Sequence, residues 1–149
     1  MKCPFCDHDD SSVLESRDSE DGGVTRRRRE CSKCKKRFTT YERVEGPQLA
    51  VIKKDNGREM FERDKIRRGV VRACEKRPVS TDLIEEVVDQ VEREMLRKQS
   101  GEVSSRVIGN AVLRRLKKID KVAYVRFASV YLDFDDIEDF TKLVKEIGF

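Results

Sequence analysis

Two cysteine pairs constrain this chain more than any other feature. They read Cys3-Pro4-Phe5-Cys6 and Cys31-Ser32-Lys33-Cys34, with 24 residues between the pairs. Two residues inside each pair let a tight turn aim both sulfurs at one point. Four thiolates complete a tetrahedral shell and leave no open position, which is the pattern of a structural zinc site. Redox pairing and an iron–sulfur centre are the competing uses of such spacing. The interval between the pairs is long enough for a hairpin, and Val13-Leu14 and Val24-Thr25 are predicted to supply its short strands. A module this small buries too little surface to fold alone, so its folding is expected to depend on the metal. His8 follows the first pair inside an acidic loop and is read as a bystander. Cys74 stands apart on a predicted helix and is read as a small core residue.

Charge is the second constraint. Charged residues make up 42% of the 149-residue chain against 37% hydrophobic ones, which favours several short amphipathic elements over one large core. No apolar run approaches the ~20 residues of a membrane helix. The start, Met1-Lys2-Cys3-Pro4, lacks the apolar stretch of a signal peptide, so the expected compartment is the cytoplasm, where thiols stay reduced and available to metal. The charges are also ordered. Acidic residues crowd positions 7–21, whereas positions 26–37 hold eight basic residues and one acidic residue, Glu30. Arg26, Arg27, Arg28, Arg29, Lys33, Lys35, Lys36 and Arg37 therefore surround the second metal turn on what should be a rigid frame. The planar fork of arginine suits phosphate, and the hydroxyls of Thr39, Thr40 and Tyr41 can add contacts. This segment is the candidate nucleic-acid surface.

Composition changes at Val44-Glu45-Gly46-Pro47, which sets predicted domains at 1–46 and 47–149. The second domain opens with a β-prone stretch over 49–54, an Asp55-Asn56-Gly57 turn and a return strand over 58–61. Helical spacing then predicts helices over about 62–76, ended by Pro78, and along Leu83 to Met95. A third begins after the N-cap Ser104, and a fourth, apolar almost all round and central to the core, covers 121–132. A last amphipathic helix is marked by Ile137, Phe140, Leu143, Val144 and Ile147. The fold class is thus α+β, with a small metal ribbon followed by a mainly helical domain carrying a β-hairpin. Lys53 and Lys54 beside the turn and Lys65 at the next helix place three cations where a triphosphate could sit. There is no G-x-x-x-x-G-K-[ST] loop, so a P-loop ATPase is unsupported. Nor is there a convergent nucleophile and base, so a catalytic enzyme is disfavoured.

These motifs in combination resemble the bacterial NrdR family of transcriptional repressors, which control ribonucleotide reductase genes. The matching residues are Cys3-Pro4-Phe5-Cys6, Ser16-Arg17, Arg26 to Arg29, Cys31, Cys34 and Arg37-Phe38-Thr39-Thr40 with Glu42. The likeness continues through Glu75 to Ser80, Lys118 to Asp120 and Val122 to Tyr131. It implies a zinc ribbon (Cys3, Cys6, Cys31, Cys34) that binds double-stranded operator DNA through Arg17, Arg26, Arg27, Arg28, Arg29, Lys35, Arg37 and Thr39. It also implies an ATP-cone that binds ATP and dATP without hydrolysing them, through Val51, Lys53, Lys54, Glu59, Lys65, Tyr124 and Tyr131. Lys54 stands where many relatives have Arg, and Met60 where Pro is frequent. A homo-oligomer whose size follows the nucleotide is the implied mechanism, with association surfaces at 122–132 and the last helix. The alternative is a zinc-ribbon nucleic-acid or polymerase adaptor without nucleotide control.

Overall fold

The structure, a computed structural model, describes residues 1–46, 48–98 and 100–148. The chain folds into two compact units, Met1–Gly46 and Pro47–Phe149. Pro47, half of the predicted Gly46-Pro47 break, lies outside the described residues.

The first unit is a three-stranded antiparallel sheet of β1 (Ser11–Asp18), β2 (Val24–Cys31) and β3 (Arg37–Arg43), with β2 in the middle. The first two strands are much longer than the short ones expected, and β3 is an addition to them. Arginine, threonine and glutamate populate both faces, so no alternation of apolar and polar residues marks these strands in the sequence. Register must come from elsewhere, because a sheet polar on both sides specifies it weakly. The β1–β2 turn supplies one anchor. Ser19 and Gly23 both donate to the Asp21 carboxylate, at 2.7 and 3.2 Å, and Gly22 takes the left-handed conformation. The cysteine turns supply the other anchor. In each, the residue after the second cysteine (Asp7 or Lys35) has positive φ and donates its N–H to the carbonyl of the first cysteine.

The second unit begins with the predicted hairpin, β4 (Ala50–Ile52) and β5 (Arg58–Met60). Asn56 adopts the positive φ that the turn requires, and the Lys53 N–H closes on the Gly57 carbonyl at 2.8 Å. A third strand, β6 (Glu102–Ser104), lies parallel to β4 on its free edge. Three residues are too few to carry a periodic signal, so this strand is legible only from its partner. The helices are α1 (Arg63–Ala73), α2 (Thr81–Leu96), α3 (Ser105–Ile119), α4 (Lys121–Tyr131) and α5 (Ile137–Glu146). Side-chain caps start four of them: Ser80, Ser104, Asp120 and Asp136 each accept a backbone N–H from the first turn. Helix α1 stops at Ala73, three residues short of expectation, where Lys76 turns to positive φ before Pro78.

Val70, Val88, Val91, Met95, Val112 and Leu116 form the fully buried centre of the second unit, and Cys74 packs beside them as expected. A smaller cluster of Leu113, Val125, Ala128, Leu143 and Ile147 seats α5. Helix α4 packs against α1, α3 and α5, in keeping with its apolar character, yet Val130 at its end is 73% exposed. Charge also enters the interior. Glu85 and Asp89 on α2 are buried, and Arg63 and Arg67 on α1 reach them. Among the described residues no helix is long and apolar enough to cross a membrane.

Candidate functional site

The four predicted metal ligands converge. Their Sγ atoms all lie within 4.8 Å of one another, with Cys3–Cys34 and Cys6–Cys31 each at 3.6 Å. Zinc–sulfur bonds of about 2.3 Å at tetrahedral angles place sulfurs about 3.8 Å apart, so the cage has the right size. Electrostatics agree. The backbone N–H of Cys34, at 3.5 Å, leads in drawing the Cys31 thiol down to about 6. The His8 backbone has the largest single influence on Cys6 and lowers it, but burial and the Cys34, Cys31 and Cys3 sulfurs together outweigh it and push the thiol up to about 11. Four thiolates this close cannot all ionise together without a cation among them. The His8 side chain lies outside the cluster; its backbone serves the cage, with the carbonyl accepting from Cys3 N–H at 2.9 Å and the amide acting on Cys6.

The predicted nucleic-acid residues lie along the sheet. Arg17 is on β1, Arg26 to Arg29 run along the central strand, Lys35 sits in the second cysteine turn, and Arg37 and Thr39 are on β3. Neighbouring strands brace the guanidinium groups. Arg28 donates to Thr39 Oγ1 at 2.9 Å, Arg29 to Thr40 Oγ1 at 3.0 Å and Arg27 to Glu42 at 2.5 Å. Bracing by a threonine hydroxyl lowers the entropy cost of presenting arginine to a ligand, whereas the Glu42 carboxylate takes up the charge of Arg27.

In the second unit a cavity of about 860 Å³ opens between the hairpin and helices α1 and α4. It collects the predicted Lys53, Lys54, Glu59 and Tyr131. Val51 and Lys65 line a smaller neighbouring cavity of about 200 Å³ that shares Glu59, Ser105 and Phe127 with the first. Glu59 bridges the two, accepting from Lys65 at 2.8 Å and pairing with Lys53 at 3.1 Å. The Lys65 hydrogen bond, then the Lys53 one, holds its carboxyl below the usual range. Lys54 pairs with Asp133 and stands 5.9 Å above the Tyr131 ring. Tyr124 lines neither cavity. It packs between the two apolar clusters, where burial and then the charge of Glu146 push its phenol up.

The cavity also contains residues that the sequence did not offer as ligand contacts: Arg72 from α1, Arg126 from α4, and Asp133. Arg126 donates to the Glu75 carbonyl at 2.6 Å and so ties α4 to the end of α1. Arg72 and Arg126 come from helices far apart in the chain, and no local spacing links them. With Lys53 and Lys54 they make four cations facing Asp55, Glu59 and Asp133. Phe127 and Tyr131 stack at 5.9 Å as an apolar wall. Cations, hydrogen-bond acceptors and an aromatic surface together can hold an anionic, ring-bearing ligand.

Known proteins share both the metal cage and the unit that follows it. The family model described as the "Transcriptional repressor NrdR-like, N-terminal domain" matches residues 1–42, and that of the "ATP cone domain" matches residues 49–137. Curated relatives named "Transcriptional repressor NrdR" match along nearly the whole chain. That of Pelotomaculum thermopropionicum is 53% identical over 147 residues, 99% of this chain and 89% of the relative. Those of Petrotoga mobilis and Methylibium petroleiphilum are 51% and 52% identical, with 98% and 100% of the relative covered. The chain belongs to the NrdR family. It carries that family's four-cysteine zinc ribbon followed by an ATP-cone, and the relatives' name describes a non-enzymatic role.

One contact of this NrdR-family cone is set by a glycine. The Tyr131 ring lies against Gly109 of α3, and its hydroxyl donates to the Ser105 carbonyl at 3.0 Å. A Cβ on Gly109 would stand 2.0 Å from Tyr131 Cζ. Gly109→Ala gains up to about 1 kcal/mol of helix propensity, but overpacking costs about 1–3 kcal/mol, and an overlap this deep belongs at the upper end. The variant is expected to melt several degrees lower and to move Tyr131 out of the cavity wall. Thermal unfolding and tyrosine fluorescence check this; an unchanged melting temperature and spectrum would contradict it.

Proposed function

We propose that this NrdR-family chain is a nucleotide-responsive transcriptional repressor of ribonucleotide reductase genes. Residues 1–46 act as the DNA-binding domain and residues 47–149 as the nucleotide sensor. The ribbon binds double-stranded operator DNA in the cytoplasm, at the nucleoid, through arginines on a zinc-fixed sheet. The cone binds ATP and dATP, with Lys53, Lys54 and Lys65 toward phosphate, Glu59 toward a base amino group or ribose hydroxyl, and Tyr131 against the ring. The balance of the two nucleotides selects between homo-oligomers, and only some of these set the ribbons at operator spacing. Such a switch requires each nucleotide to prefer one assembly, since a ligand binding all assemblies equally shifts nothing.

The observation that carries this reading is the cationic cavity in the ATP-cone, in a chain whose other unit is the repressor family's ribbon. A polymerase adaptor without nucleotide control has no use for four cations beside an aromatic wall. The test is solution sizing with ATP, with dATP and without nucleotide, each with and without promoter DNA of a ribonucleotide reductase operon. The expected result is a different particle size for each nucleotide and DNA retention in only some conditions. Identical size and retention throughout would refute the switch.

A further inference from the structure

The sheet of the ribbon has two faces, and its pairing register distributes the arginines unequally between them. Side chains alternate along a strand, and directly paired residues share a face. Arg26 pairs with Arg17 on one side and Tyr41 on the other, and Arg28 pairs with Glu15 and Thr39. Glu30, on the same face, pairs with Arg37. The alternate face holds Arg27, paired with Ser16 and Thr40, and Arg29, paired with Val13 and Phe38. The irregularity between Val13 and Glu15 is what brings Arg17 onto the Arg26 row.

We infer that the ribbon presents DNA with one face only, formed by Arg17, Arg26, Arg28 and Arg37 together with Thr39 and Tyr41. The inference rests on the reading that the ribbon binds DNA. Three observations support it. First, charge is uneven. In the paired register those four arginines share their face with two carboxylates, Glu15 and Glu30, and Arg43, whose guanidinium lies 4.9 Å from the Tyr41 ring centre, extends the same row. On the alternate face Arg27 and Arg29 are balanced by Asp18 and Glu42, and Glu42 holds Arg27 directly. Second, the arginines of the two outer strands, Arg17 and Arg37, both belong to this face and are 72% and 60% exposed, whereas Arg26 to Arg29 on the central strand are half-buried on either face. Third, the alternate face is used for packing at the metal end, where Phe38 and Cys31 are buried in the thiol cluster. The pairs Arg17–Glu15 and Arg37–Glu30 do not block the role, because exposed ion pairs are worth only about 0–1 kcal/mol and exchange readily for phosphate.

The experiment compares Arg17→Gln/Arg37→Gln with Arg27→Gln/Arg29→Gln in the full chain. It measures binding to promoter DNA of a ribonucleotide reductase operon across a salt series, under each nucleotide condition, after zinc content has been verified. The first pair is expected to lose at least about tenfold in affinity. It should also lower the slope of log affinity against log salt by about 1.8, or about 0.9 for each phosphate no longer neutralised. The second pair is expected to lose less than about threefold, with an unchanged slope. Phenylglyoxal labelling of the wild-type chain gives a readout free of any folding effect: DNA should protect Arg17 and Arg37 and leave Arg27 and Arg29 equally reactive. Equal losses for the two pairs, a larger loss for the second, or protection of Arg27 and Arg29 would overturn the face assignment and leave DNA binding standing. Wild-type chain that binds no promoter DNA in any condition would overturn both.

Discussion

Cys31→Ser is expected to strip the chain of zinc and unfold residues 1–46 while leaving the helical unit intact. Cys31 is fully buried at the end of the central strand, and its sulfur faces Cys6 at 3.6 Å and accepts from Cys34 N–H. Among the described residues of the ribbon, the only buried hydrophobic side chains besides Cys3 and Cys31 are Val24 and Phe38. Two such side chains contribute about 3–6 kcal/mol, well below the ~10–16 kcal/mol that zinc supplies to small four-ligand modules. Most of the ribbon's folding free energy therefore resides in the metal shell. Elemental analysis should fall from about one zinc per chain to near none. Limited proteolysis should then cleave the arginine strand first and spare the segment after residue 47, whose core is separate. A variant that kept stoichiometric zinc and a protease-resistant ribbon would show that the metal is not what folds it.

The second large effect is expected from Arg63→Ala. Arg63 donates to Glu85 at 2.7 Å and to Asp89 at 2.6 Å and lies 3.3 Å from Glu92, while Arg67 backs Glu85 at 2.5 Å. Glu85 and Asp89 are each only 6% exposed. Removing the guanidinium takes one charged partner from each of two buried carboxylates, which costs about 3–5 kcal/mol. In a unit of this size that lowers the melting temperature by on the order of 15 °C. The pH dependence has a definite sign. Burial raises the carboxyl of Glu85, but hydrogen bonds from Arg67 and Arg63 outweigh it and hold the group below its ordinary value. The wild-type contribution is therefore present above the ordinary carboxylate range and is lost as the pH falls through the depressed value. Without Arg63, Glu85 keeps Arg67 but loses part of what offsets its burial, so protonating the carboxylates costs the variant less than the wild type. The difference in melting temperature should be widest near neutrality and should narrow on acidification. Melting curves followed by helical circular dichroism from neutral to acid pH decide this. A constant difference would mean that the cost is lost packing rather than uncompensated charge.

Some of this protein can be read residue by residue. The two Cys-x-x-Cys turns, the Asn56 turn and the cap Ser104 are local devices, each working through neighbours within about four positions, so spacing alone exposes them. The apolar stripes of the helices belong to the same class, since a helix brings residues three and four apart onto one side. The cysteine cage is therefore legible almost complete. So are the hairpin lysines Lys53 and Lys54 of the larger cavity, whereas Glu59 beside them comes from the family resemblance.

What escapes the sequence depends on partners distant in the chain. Strand β6 exists because β4 offers it an open edge, and Glu85 and Asp89 look like solvent-facing charges until Arg63 and Arg67 arrive from another helix. Arg72 and Arg126 become cavity residues only when α1 and α4 pack, and Tyr131 finds its place because Gly109 has no side chain. The arginine run shows the division most clearly. Its composition and its tie to the metal turns were determined by the sequence, through short-range covalent spacing. Which arginines share a face was decided only by strand register and one irregularity between Val13 and Glu15, because a shift of one residue in pairing sends every side chain to the opposite side of the sheet.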